Sequence, residues 1–198
     1  MKNKIEYYFS KLISIIGHPL VLGTLASLYV NFREFDRQKS IQLTWTLIVG
    51  CVLPMLAFLY YKVRKSEYND FDVSNQSRRN SLYIFAILLL AIFIGYLFST
   101  DSNKLVKTRI IPVFLLVLIS YFLNKKIKVS RHTPFSFSIA VMMIKVEVST
   151  AFTMVLFAII NGYSRLYLKR HTMPDVAIRA FLGISIGFLF HVIYQFSL

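Results

Sequence analysis

Residues 134–160 read PFSFSIAVMMIKVEVSTAFTMVLFAII. This apolar run is too long for one bilayer crossing, which takes roughly 20 residues. Lys145 and Glu147 stand near its middle. A single helix would hold both charges near the bilayer centre, at about 2.5–3.5 kcal/mol each. The alternative is a tight hairpin that turns near Ser149-Thr150 and brings the charges to an interface. Its arms are short, and no Gly or Pro marks the turn. The hairpin is preferred because it decides which polar clusters share a membrane face.

Working outward, apolar stretches recur at residues 12–30, 41–61, 82–98, 110–123 and 176–196. With the two hairpin arms they give seven spans. The expected fold is all-α: a polytopic membrane bundle of six to seven transmembrane helices, forming one domain over 1–198. The first stretch is longer than a signal-peptide core, holds Pro19 and lacks a small-residue cleavage site, so it is read as a retained span. Helices are the way such runs satisfy their backbone in lipid, and the alternation of a barrel strand is absent.

Composition agrees. Of 198 residues 56% are hydrophobic and only 16% charged, and the mean hydropathy of +0.58 is too high for an ordinary soluble domain of this size. A lone Cys51 excludes an intrachain disulfide framework and a Cys-rich metal site. The net charge of +14 would suggest nucleic acid in a soluble protein. Here the basic residues lie between apolar runs, where they contact anionic head groups or an anionic substrate. His18 and His191 fall inside spans and are read as helix–helix hydrogen-bonding residues.

Three polar clusters stand apart: Asp70 to Arg79, Lys128 to Pro134, and Ser164 to Asp175. In the third, Thr172, Pro174 and Asp175 have the order of a helix cap and first turn. His171 then sits just ahead of a helix N-terminus, an end that attracts anions. Asp175 can reach back to one imidazole nitrogen and leave the other to attack. Arg165 offers a planar fork for phosphate oxygens. In the second cluster His132 precedes another such start, with Lys128 and Ser130 close by. Two histidines at two helix starts suit metal-free phosphoryl transfer, one as nucleophile and the other as general acid. Each cluster taken alone reads more readily as ordinary head-group contact; the three together weigh against that reading. In a seven-span count all three share one membrane face.

Ser164-Arg165-(five)-His171-(three)-Asp175 resembles the third signature of the type 2 phosphatidic acid phosphatase superfamily, which includes vanadium haloperoxidases. Val129-Ser130-Arg131-His132 resembles its Pro-Ser-Gly-His motif, with Pro and Gly replaced. Asp70 to Arg79 resembles the first signature, Lys-(six)-Arg-Pro, but Asp72 stands at the Lys position and Asn80 at the Pro. Lys128 is the candidate replacement for that lysine. The resemblance covers Asp70 to Gly187 and looks like a bacterial branch. It implies His171 as nucleophile, Asp175 orienting it, and His132 protonating the leaving oxygen. Arg79, Arg165, Lys128 and Ser130 would hold the phosphoryl group, without metal or other cofactor.

The expected function is therefore an integral membrane lipid phosphatase in a bacterial cytoplasmic membrane, its facing left open. Its partner is a lipid phosphate: phosphatidic acid, phosphatidylglycerol phosphate, polyprenyl diphosphate or phosphorylated lipid A. So much lipid-facing surface excludes the soluble haloperoxidase reading. The rival is a non-enzymatic protein on the same scaffold, acting in lipid binding or transport.

Overall fold

Lys145 and Glu147 mark the place where the chain turns. The computed structural model describes residues 4–68, 73, 78–100, 103–126 and 132–196. In it one helix ends at Met143 and the next begins at Val148. The amides of Val146 and Glu147 both donate to the Met143 carbonyl at 2.9 Å. The Glu147 carboxylate accepts from the Thr150 hydroxyl at 2.9 Å, and the Lys145 ammonium lies 5.0 Å over the Tyr194 ring. The turn thus falls on residues 144–147, ahead of the Ser149-Thr150 position expected from sequence. A helix tolerates hydroxyls that bond back to its own carbonyls, as Thr153 does to Ser149. It does not tolerate charges buried in apolar surroundings.

The described residues form eight helices: α1 (Lys4–Ile16), α2 (Pro19–Glu34), α3 (Arg37–Arg64), α4 (Arg79–Ser99), α5 (Lys104–Lys126), α6 (His132–Met143), α7 (Val148–Tyr167) and α8 (Met173–Phe196). Within α3, residues Ile48–Val52 widen into a π-turn just ahead of Pro54. Proline lacks the N–H that would continue the ladder, and the wider turn absorbs the mismatch.

Among the described residues four helices, α3, α4, α5 and α8, are long and apolar enough to cross a membrane. The pair α1–α2 makes a fifth if its two pieces, bent by 61°, count as one span. This corrects the expected six to seven spans. The hairpin forms, but the 12 residues of α6 reach only about 18 Å, against roughly 30 Å of hydrocarbon. Asn161, Ser164 and Arg165 make the second half of α7 too polar to qualify. The first stretch breaks at Gly17-His18 because Pro19 cannot extend the helix before it. The face count built on seven spans falls with them. The architecture remains all-α and consistent with an integral membrane protein.

The described residues divide into two compact units, one within Met1–Ala26 and Ser130–Phe196, the other within Ser27–Val129. At the centre of the first is α6, buried at nearly every position from His132 to Met143. The Asn161 amide of α7 donates to Ser136 at 2.8 Å, and His191 of α8 bonds the Val141 carbonyl at 2.9 Å. That is the interhelical bond expected of His191. Gly183 and Gly187, spaced as a small-xxx-small pair, let α8 approach α6 closely. In the second unit Gly50 of α3 lies against Phe93 of α4, which packs with Cys51 and Leu97. There Arg109 of α5 also pairs with Glu34.

A methyl group at Gly183 would stand 2.2 Å from the Pro134 carbonyl oxygen, whereas Gly95 has open space beside it. A backbone oxygen cannot rotate away, so Gly183→Ala must separate the helices. We expect a loss of about 1–3 kcal/mol, read as a lower thermal midpoint in detergent, with Gly95→Ala neutral or better. Equal midpoints for the two variants would refute the α6–α8 contact.

Candidate active site

Two backbone motifs set His171 in place. At the end of α7 the Arg170 amide donates to the Arg165 carbonyl at 3.0 Å, and the Lys169 amide to Leu166 at 2.9 Å. Lys169 has φ 53. These are the bonds of a Schellman termination, with lysine where glycine is usual. At the start of α8 the Thr172 amide donates to the Asp175 carboxylate at 3.1 Å. The Thr172 carbonyl accepts from Val176 at 3.1 Å, as a cap residue does. His171 lies between the two motifs, and only 9% of it is exposed.

The register of the first unit gathers further groups at the start of α6. Ser136 meets Asn161 across the antiparallel hairpin. One turn from each, in the same direction, lie His132 and Arg165, which are therefore level. The hairpin alone puts them at one end, with no count of membrane crossings needed. Gly183 meets Pro134, and α8 runs parallel to α6. Arg179, four residues earlier, then lies about 6 Å short of that level, just at the start of α6. Both arginines are 1% exposed and His132 is 2% exposed.

Each of these side chains is held. Arg165 donates to the Ser14 hydroxyl of α1 at 2.7 Å. Arg179 stands 3.7 Å from the Asp175 carboxylate. The His132 carbonyl accepts from Ser136 at 2.9 Å, and its ring meets the His18 ring edge to face, centroids 5.3 Å apart. The expected partner of Asp175 is the His171 imidazole. In the structure its oxygens serve the Thr172 amide and Arg179, and its charge also acts on His171.

Of the residues expected from sequence, His171, His132, Asp175 and Arg165 fall in the first unit. Arg79 belongs to the second, at the start of α4, buried and donating through Nε to the Val73 carbonyl at 2.7 Å. Lys128 and Ser130 lie outside the described residues, as do Arg131 and the first-cluster Asp70 and Asp72. Arg78 bonds the Glu67 and Ser66 carbonyls beyond the end of α3.

Two residues of this region were not placed in the site from sequence. Arg179 carried a signal, since an ionised residue inside an apolar span calls for a role. His18 was read only as an interhelical hydrogen-bonding residue; its ring meets that of His132, from a helix far away in the chain.

Buried guanidinium groups and imidazoles at a helix N-terminus can hold a tetrahedral oxyanion and move a proton on it. Among the described residues no three His, Cys, Asp or Glu side chains gather where they could hold a metal ion. No family model, no curated protein and no solved structure matches the chain. The resemblance to the phosphatase superfamily therefore rests on the motif residues alone.

Lys169 is exposed and sits in the left-handed region, which disfavours any residue with a Cβ. Lys169→Gly should raise stability by roughly 0.5–1 kcal/mol, seen as a higher thermal midpoint. A fall in the midpoint would mean that α7 does not end in this way.

Proposed function

We propose that this protein is a membrane lipid phosphatase that hydrolyses a phosphomonoester or diphosphate of a lipid, in a bacterial cytoplasmic membrane. The observation that carries the reading is the burial of His132, Arg165 and Arg179 at the end of the first unit where α6 starts. The same unit buries His171 between two backbone caps. A guanidinium in a low-dielectric site gives phosphate oxygens strong, charge-assisted hydrogen bonds. A bound phosphoryl group would offer its negative oxygens to those side chains. Helices able to cross a bilayer favour an amphiphile, whose head reaches the site while its tails stay in lipid.

In the proposed reaction an imidazole nitrogen of His171 attacks phosphorus. The phosphorus–oxygen bond to the lipid breaks, and protonated His132 gives its proton to the leaving oxygen. Water then attacks the phosphohistidine. His132, now neutral, takes a proton from that water; the phosphorus–nitrogen bond breaks and inorganic phosphate leaves. Arg165 steadies the charge on the equatorial oxygens throughout. Asp175 fixes the α8 start that follows His171. Arg79, Lys128 and Ser130 enter as further phosphate ligands on the strength of their motifs.

The test is a panel of lipid phosphates in detergent micelles with the purified protein. We expect phosphate release that survives chelators and is blocked by vanadate. His171→Ala should abolish it while the thermal midpoint stays within a few degrees. Release unchanged by His171→Ala would reject the mechanism. No release from any phospholipid or prenyl substrate would favour a lipid-binding or transport role.

A further inference from the structure

The first helix looks like a simple anchor, yet Ser14 near its end and Gly17 and His18 in the break that follows reach into the first unit's polar interior. Ser14 accepts from Arg165 at 2.7 Å. Gly17 lies so close to α7 that a methyl group there would stand 2.4 Å from the Asn161 amide. His18, at the break before α2, meets His132 at 5.3 Å between ring centroids and 84° between planes.

His18 is also locked by its own backbone duty. Its carbonyl accepts from Leu22 at 2.9 Å, so it is the cap residue of α2. Its Nδ1 accepts from the Leu20 amide at 3.3 Å, one of the donors a helix start leaves over. Capping fixes the side-chain torsions, and the Gly17 contact with Asn161 fixes the height of the break along α7. The ring is thus held against His132 by two constraints that have nothing to do with His132 itself.

We propose that Ser14 and His18 are positioning residues of the site: His18 seats the His132 imidazole and Ser14 seats the Arg165 guanidinium. The proposal rests on the phosphatase reading for its kinetic consequences, though not for the contacts. A proton donor acts in the transition state, so misplacing His132 should lower kcat and leave KM alone. Arg165 grips phosphate in ground and transition states alike, so loosening it should weaken binding.

His18→Asn is the informative variant. Asparagine is a good helix cap, so α2 keeps its start while the ring contact disappears. With phosphatidic acid in detergent micelles as the probe, kcat should fall about tenfold with KM within about twofold. The thermal midpoint should match the wild type. Ser14→Ala should raise KM and the vanadate inhibition constant several-fold, with a smaller change in kcat. If His18 only caps α2, His18→Asn will leave kcat unchanged, and the proposal fails. It also fails if each variant moves kcat, KM and the midpoint together.

Protein labelled with ¹⁵N at histidine and arginine gives a second readout that needs no turnover. His18→Asn should move the His132 ring resonances and leave those of His191 in place; Ser14→Ala should move the Arg165 side-chain signals. Static His132 and Arg165 resonances would overturn the proposal. Absence of phosphate release by the wild type would count against the phosphatase reading alone, and the spectra would still decide these contacts.

Discussion

A twelve-residue helix that begins with histidine and threonine and carries two serines cannot face lipid. Its polar side chains need partners, and hydrocarbon supplies none. The first unit answers that constraint. Around α6 stand α7, which gives Asn161 to Ser136, and α8, which gives His191 to the Val141 carbonyl. The hairpin, the close approach of α8 and the register of the arginines all follow from enclosing this one short helix.

Enclosure changes what the polar residues can do. An arginine at a lipid surface extends toward water and acts as a diffuse positive charge. Arg165 and Arg179 are instead confined beside the start of α6, where local dielectric is low and each hydrogen bond counts for more. Asp175 lies one turn before Arg179 and spends its other oxygen on a backbone amide. The carboxylate thereby ties the side chain of α8 to the geometry of the loop that carries His171.

Much of this was legible from residue order. The apolar runs located the helices, and Thr172, Pro174 and Asp175 located the start of α8, whereas the break at Pro19 fell inside a stretch read as one span. The count of spans was not legible. Apolar residues turned toward protein look the same in sequence as apolar residues turned toward lipid, and those of α6 belong to the first kind. The end of α7 was hidden because a lysine holds the conformation that glycine usually announces. In the candidate site, the histidines and Arg165 could be singled out by type and spacing. The contacts of His18 and Ser14 could not, since they depend on how α1 lies against α7 and α6.

The close approach through Gly183 divides one helix into two regimes of sequence freedom. At 183 the neighbour is main chain, identical for every possible partner residue, so no change elsewhere in α6 can make room. Phe181 and Phe188, on the outward side, are largely exposed and answer only to the surrounding lipid, which accepts any bulky apolar group. Drift along α8 would therefore be abundant at those phenylalanines and nearly forbidden at the glycine between them.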